Sequence, residues 1–184
     1  MGGGSMFQQA MGEAFGRLHP ALQRFHSLRG QVELHGEVQV SGPRGRLARV
    51  LAWLLRSPPR DRQGPIRFRL DAGPLAETWV REFPGRTMAS RLRLAGTQLT
   101  EHFGAVRLSF DVVEAQGGLQ MRHRAMRVLG LPLPRWLQPR IEAHEHGEGD
   151  RLCFDVSADY PLAGRVVRYR GWLALAPMQD NRSP

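Results

Sequence analysis

Most of this chain alternates apolar and polar residues with period two, and turn signals break the alternation at short intervals. A strand turns successive side chains to opposite faces, so the pattern specifies strands with one buried and one solvated face. Val32, Leu34, Val38 and Val40 stand against Gln31, Glu33, His35 and Glu37, and Ile66, Phe68 and Leu70 against Arg67, Arg69 and Asp71. Similar runs lie near 76–83, 87–95, 98–103, 105–115, 118–129, 140–147, 150–159 and 165–175. Gly73-Pro74, Pro84-Gly85, Gly96, Gly104, Gly117-Gly118, the stretch Gly147 to Asp150 and the stretch Leu162 to Gly164 separate them. Several links are too short for a parallel crossover, so the sheet is expected to be mainly antiparallel. About ten strands would strain a flat open sheet. A strongly curved sheet or a barrel is therefore expected.

Two segments depart from this period. Between Phe7 and about Phe25, Phe7, Met11, Ala14, Phe15 and Leu18 fall on one helical face, and Pro20 interrupts it. From Gly45 to Arg56, Leu47, Val50, Leu51, Leu54 and Leu55 form a second stripe, ended by Pro58-Pro59. This second helix carries Trp53 and is flanked by Arg46, Arg49 and Arg56. It is expected to cap a barrel mouth, with peripheral contact to a membrane surface as the alternative. The fold class is thus α+β: an antiparallel curved sheet or barrel of about ten strands, with two N-terminal helices on one side or end. Residues 1–5 read as a vector-derived scar ahead of Met6, residues 6–176 as a single β-rich domain, and 177–184 as a polar C-terminal tail.

Composition narrows the classes. Apolar residues at 41% and charged residues at 23% fit a folded globular chain rather than a disordered one. No apolar run is long enough for a transmembrane helix, and no secretory signal opens the chain. Cys153 is the only cysteine, which excludes an internal disulfide and a multi-cysteine zinc site and fits a reducing, cytoplasmic setting. The net charge of +9 comes entirely from arginine, with no lysine, a bias that GC-rich coding produces by itself. The charge is also uneven, with eight Arg and one Asp from Arg44 to Leu70. No nucleic-acid-binding motif accompanies it, and many arginines alternate with core residues, so nucleic acid is not an expected partner.

Three phrases carry a resemblance: Glu77-Thr-Trp-Val-Arg-Glu-Phe83, Gly130-Leu-Pro-Leu-Pro-Arg-Trp-Leu-Gln-Pro139 and Tyr169-Arg-Gly-Trp-Leu173. With the Leu18-to-His26 segment, the chain resembles the bacterial domain-of-unknown-function family 4166 over nearly its whole length after Met6. Such domains occur alone or behind a nucleotide-binding oxidoreductase domain. The resemblance implies a setting in small-molecule metabolism with an oxidoreductase as a candidate partner, and no mechanism. The chain has no strand–Gly-x-Gly-x-x-Gly–helix unit of its own.

Charged residues on apolar strand faces mark candidate sites, because burying a charge unpaired costs several kcal/mol. Arg81 lies between Trp79 and Phe83, Glu101 between Leu99 and Phe103, and His123 shares a face with Leu119, Met121 and Ala125. With Tyr169 as a further inward candidate, the expected ligand-binding set is Trp79, Arg81, Phe83, Glu101, His123 and Tyr169 around one cavity. The expected ligand is small and apolar or acidic, an acid pairing with Arg81. Two alternatives stay open: a cofactor-free isomerase, cyclase or hydrolase with Glu101 or His123 as general base, and a module docking on an oxidoreductase. An internal Arg–Glu ion pair would give the same pattern. Glu142, His144 and His146 share a strand face opposite Ile141 and Ala143, which reads as a wet face, so no metal and no other cofactor is expected. Cys153 has no base beside it in sequence and is not expected to be a nucleophile.

Overall fold

The computed structural model describes residues 4–55 and 57–175. Eleven strands form one sheet: β1 (Gly30–Ser41), β2 (Arg62–Ala72), β3 (Ala76–Phe83), β4 (Arg86–Ala95), β5 (Gln98–Phe103), β6 (Val106–Ala115), β7 (Gly118–Val128), β8 (Leu131–Pro132), β9 (Arg140–Glu148), β10 (Arg151–Tyr160) and β11 (Gly164–Ala174). Their order is β6-β5-β4-β3-β2-β1-β11-β10-β9-β7-β8, and β7 also pairs with β6. That pairing closes ten strands into an antiparallel barrel, with β8 as a short extra strand on β7. Strand makes up 59% and helix 17% of the described residues. Each of the ten alternating segments in the sequence is one barrel strand. Along β2 the burial alternates strictly from Gly64 to Ala72, which is the period-two pattern made physical.

Antiparallel order sends successive connections to opposite ends of the barrel. The turns after β2, β4, β6 and β9 lie at one end. The N-terminal helices close this end: α1 (Met6–Met11), a 3₁₀ segment (Gly12–Arg17) and α2 (Pro20–Phe25). The single helical pattern expected from Phe7 to Phe25 is thus broken. Gly12 takes φ 55°, a left-handed conformation that ends α1. Met6, Phe7, Leu22 and Phe25 are at most 2% exposed and plug the barrel. Ser5, grouped with the leading glycines on sequence grounds, is part of this fold: its hydroxyl accepts from the Gln8 backbone N–H, and the Gln8 side chain accepts from the Ser5 N–H. Gly147 on β9 leaves room for the His19 ring, because a Cβ there would stand 1.9 Å from Nδ1.

The opposite end receives the connections after β1, β3, β5, β7 and β10. The first holds α3 (Arg46–Leu54). Its orientation corrects the sequence reading. Ala48 and Ala52 are the fully buried positions, packed on Val166 of β11, whereas Leu47, Val50 and Trp53 are 50–69% exposed. Two alanines let the helix lie close against the wall, which leaves Leu47 and Val50 of the expected stripe facing outward. Leu51 and Leu55 pack against this cluster, while the side chain of Leu54 and all of Arg56 lie outside the described residues. The predicted tail at 177–184 also lies outside them. After β7, the run Leu131 to Pro134 leads into a 3₁₀ turn at Arg135–Leu137, as the prolines predict. No helix among the described residues is long and apolar enough to cross a membrane.

Candidate ligand cavity

The barrel encloses a cavity reaching from Phe25 of the plug to Leu55, Ser57 and Tyr160 near the other end. It holds about 120 Å³ of space open to the centre of a water molecule, against roughly 10–15 Å³ needed to admit one water. Ile66, Phe68, Met88, Leu108 and Phe110 supply apolar wall. β3 turns Glu77, Trp79, Arg81 and Phe83 inward, all buried, and Trp79 and Arg81 line the cavity. Register brings Arg81 opposite Met88 and Phe68, and Glu101 opposite Leu92.

The polar centre of the cavity is one hydrogen-bonded group. Arg81 donates to Ser90 Oγ at 3.0 Å and to Glu101 Oε1 at 3.3 Å. Ser90 donates to the same Glu101 oxygen at 2.6 Å. The guanidinium also sits 4.9 Å from the centre of the Trp79 ring. Both charged side chains are less than 10% exposed. Such a pair is costly to bury and costlier to break, since removing one partner strands the other charge. Arg81 and Glu101 thus meet inside the barrel as a buried ion pair.

A second polar group lies toward the plug, and the sequence reading passed it over. His26 on the plug meets Glu145 of β9 at 2.7 Å, and Glu145 lines the cavity. The Trp79 indole N–H donates to Glu77 at 2.8 Å. Burial pushes the Glu77 carboxyl above its ordinary range, with the Trp79 hydrogen bond and the charges of His26 and Arg29 pulling the other way. At the far end, Ser57 is 3% exposed and its hydroxyl has no hydrogen-bond partner among the described residues. Tyr160 and Tyr169 both line the cavity, and burial pushes both phenols up to about 12. Glu77 and Glu145 sat on apolar faces in the sequence and were open to the same argument that found Arg81. Nothing in the sequence marked Ser57.

Two members of the expected set lie elsewhere. Phe83 is buried but packs its ring on Tyr169 at 5.3 Å rather than lining the cavity. His123 does not join Arg81 and Glu101. A bulge shifts the β6–β7 register between Ser109 and Phe110 and skips Arg124, so alternation along β7 changes phase at this point. Beyond Arg122, β7 also leaves its pairing with β9. His123 lines a groove at this seam with Gln120, Arg122 and Pro139, its ring against Phe110. Burial lowers its pKa, partly offset by hydrogen bonds to the backbone at Ala125 and Pro139. Met121 and Ile141 line both groove and cavity, so only the wall separates them.

Glu142, His144 and His146 point outward and are exposed, as expected. The grouping of metal-ligand atoms among the described residues is a different one: His146, Glu148 and Cys153, with donor atoms within 4.8 Å of one another on the outer wall. Burial and the neighbouring Glu148 push the Cys153 thiol pKa up.

Fold and cavity together define a closed antiparallel β-barrel whose apolar interior carries one internal Arg–Ser–Glu group. The chain belongs to the family described as domain of unknown function (DUF4166), which matches residues 18–173. No curated protein matches it. Among solved structures it is similar to Rv2717c from M. tuberculosis, at 11% identity and a TM-score of 0.44, over 87% of this chain and 99% of that one.

Proposed function

We propose that the barrel binds a small, largely apolar molecule, anchored by a polar group beside Arg81 and Glu101. The supporting observation is the cavity itself: an apolar interior with a donor, Arg81, and an acceptor, Glu101, side by side in one wall. Ligand sites commonly combine apolar lining with a few placed polar groups. A hydroxyl that both donates and accepts fits this pair better than a carboxylate does. An anionic group would have to share Arg81 with Glu101 and would also face Glu145. The acidic ligand is therefore the second choice. Ser57, whose hydroxyl has no hydrogen-bond partner among the described residues, offers a further hydrogen bond.

Acid–base catalysis by Glu101 has less support, because its Oε1 already accepts from Ser90 and Arg81 and His123 is not beside it. The single free cysteine fits a cytoplasmic setting. Calorimetric titration with octan-1-ol and with octanoate tests the reading. The alcohol is expected to bind more tightly than the acid, and Glu101→Gln and Ser57→Ala each to weaken it severalfold in protein shown to be folded by circular dichroism. Absence of binding by both probes, or affinity unchanged in both variants, would sink the proposal.

A further inference from the structure

Among the described residues, eight large apolar side chains are exposed, and seven lie at the end of the barrel opposite the plug. Leu47, Val50 and Trp53 come from α3. Leu129, Leu131 and Trp136 come from the β7–β9 connection, and Leu162 from the β10–β11 turn. These connections are distant in sequence, and only the antiparallel topology gathers them at one end. Exposed apolar side chains concentrated on one end of a molecule mark an interaction site, whereas scattered single ones need no explanation.

The charge at this end is of one sign. The five connections that form it contain a single acid, Asp61, and its carboxylate accepts from the Gly42 backbone N–H. Arg44, Arg46, Arg49, Arg60 and Arg135 belong to the same connections and make no ion pair among the described residues. On the outer wall Arg67 and Arg69 pair with Glu33 and Glu82, whereas Arg91, Arg93 and Arg107 cluster near His102 without the exposed tryptophans and leucines found at the mouth. What sets the mouth apart is the conjunction: exposed indoles and leucines stand there beside guanidinium groups. That combination matches a bilayer interface bearing anionic headgroups, where aromatic rings sit at headgroup depth and arginines meet phosphate.

We propose that the barrel docks mouth-first on anionic lipid surfaces, through α3 and the β7–β9 connection. Docking is peripheral and reversible, with Trp53 and Trp136 entering the headgroup region and Arg46, Arg49 and Arg135 pairing with phosphates. The proposal does not depend on what the cavity holds.

Sedimentation of the full chain with vesicles of phosphatidylcholine alone, or of phosphatidylcholine with phosphatidylglycerol, provides the test. Binding is expected only with phosphatidylglycerol and is expected to weaken with salt. Arg46→Glu with Arg49→Glu should reduce it about tenfold or more. Trp53→Ser with Trp136→Ser should also reduce it severalfold, and both tryptophans are exposed enough for the fold to survive the change. Glu101→Gln, inside the cavity, should bind vesicles like the unaltered protein. No binding to either vesicle overturns the proposal. So does binding that the arginine pair weakens but the tryptophan pair does not, which is what a general polyanion site such as one for nucleic acid would show.

Discussion

At the plugged end of the barrel Met6, Phe7, Leu22 and Phe25 are at most 2% exposed, while at the mouth Trp53 is 69% and Trp136 is 68% exposed. Near the plug His26 meets Glu145 and Trp79 meets Glu77, while His26 Nδ1 and Arg24 Nε have no hydrogen-bond partner; near the mouth Ser57 Oγ has none and five arginines make no ion pair, among the described residues. The apolar side chains of the plug are covered and those of the mouth are not. Unburied apolar surface at one end is therefore better explained by what that end meets than by incomplete packing.

Substitution on each side can break this contrast. Phe25→Ala, at the centre of the plug, should cost about 3–5 kcal/mol in denaturant unfolding. A cost near that of a surface change would mean that the plug is an ornament on the barrel. Midway, Arg81→Met should cost about 3–5 kcal/mol because it strands Glu101, and adding Glu101→Leu should recover most of the loss. If the double variant is no better than the single one, the pair does not act as a unit. Tyr160 and Tyr169 are the only tyrosines, and both phenols are pushed up to about 12 by burial. The native state holds those protons where the unfolded chain releases them. Stability should then be unaffected by these groups below pH 10 and fall as the pH rises from 10 toward 12. Tyrosinate absorbance appearing at pH 10 in still-folded protein would contradict this. Ser5→Ala removes the cap of α1 and should cost about 1 kcal/mol. At the mouth, Trp53→Ala should shift stability by no more than about 0.5 kcal/mol, and a larger loss would show that α3 is held by more than its two alanines.

The strands were legible because one face of each is buried and the other wet, so alternation alone marks them. Arg81 and Glu101 were legible for the same reason. His123 was not, because β7 parts from β9 beyond Arg122 and a bulge at Arg124 turns Ala125 off its face, so that His123 opens on a groove at the seam, and neither event leaves a mark in the residues themselves. The facing of α3 was misread because its leucines outweigh its alanines in any apolar stripe. Close approach to Val166 selects the small residues, and that requirement belongs to the partner strand rather than to the helix. Glu145 was less legible because its face-mates Ala143 and Gly147 are small, whereas the exposed face beside it carries Glu142, His144 and His146.

The pairing of β1 with β11, Gly36 to Ser41 against Leu173 to Arg168, joins segments from opposite ends of the described chain. On the ribosome, β1 therefore emerges with one neighbour only and waits for almost the entire barrel to be synthesised before its second edge is covered. Throughout that interval the nascent sheet carries a free edge bearing Val38 and Val40, the kind of edge that recruits strands from other chains. His26 waits similarly for Glu145. Closure that joins such distant segments is slow, so the yield of native protein in a cell depends on how well the open sheet is shielded during translation as well as on the stability of the finished barrel.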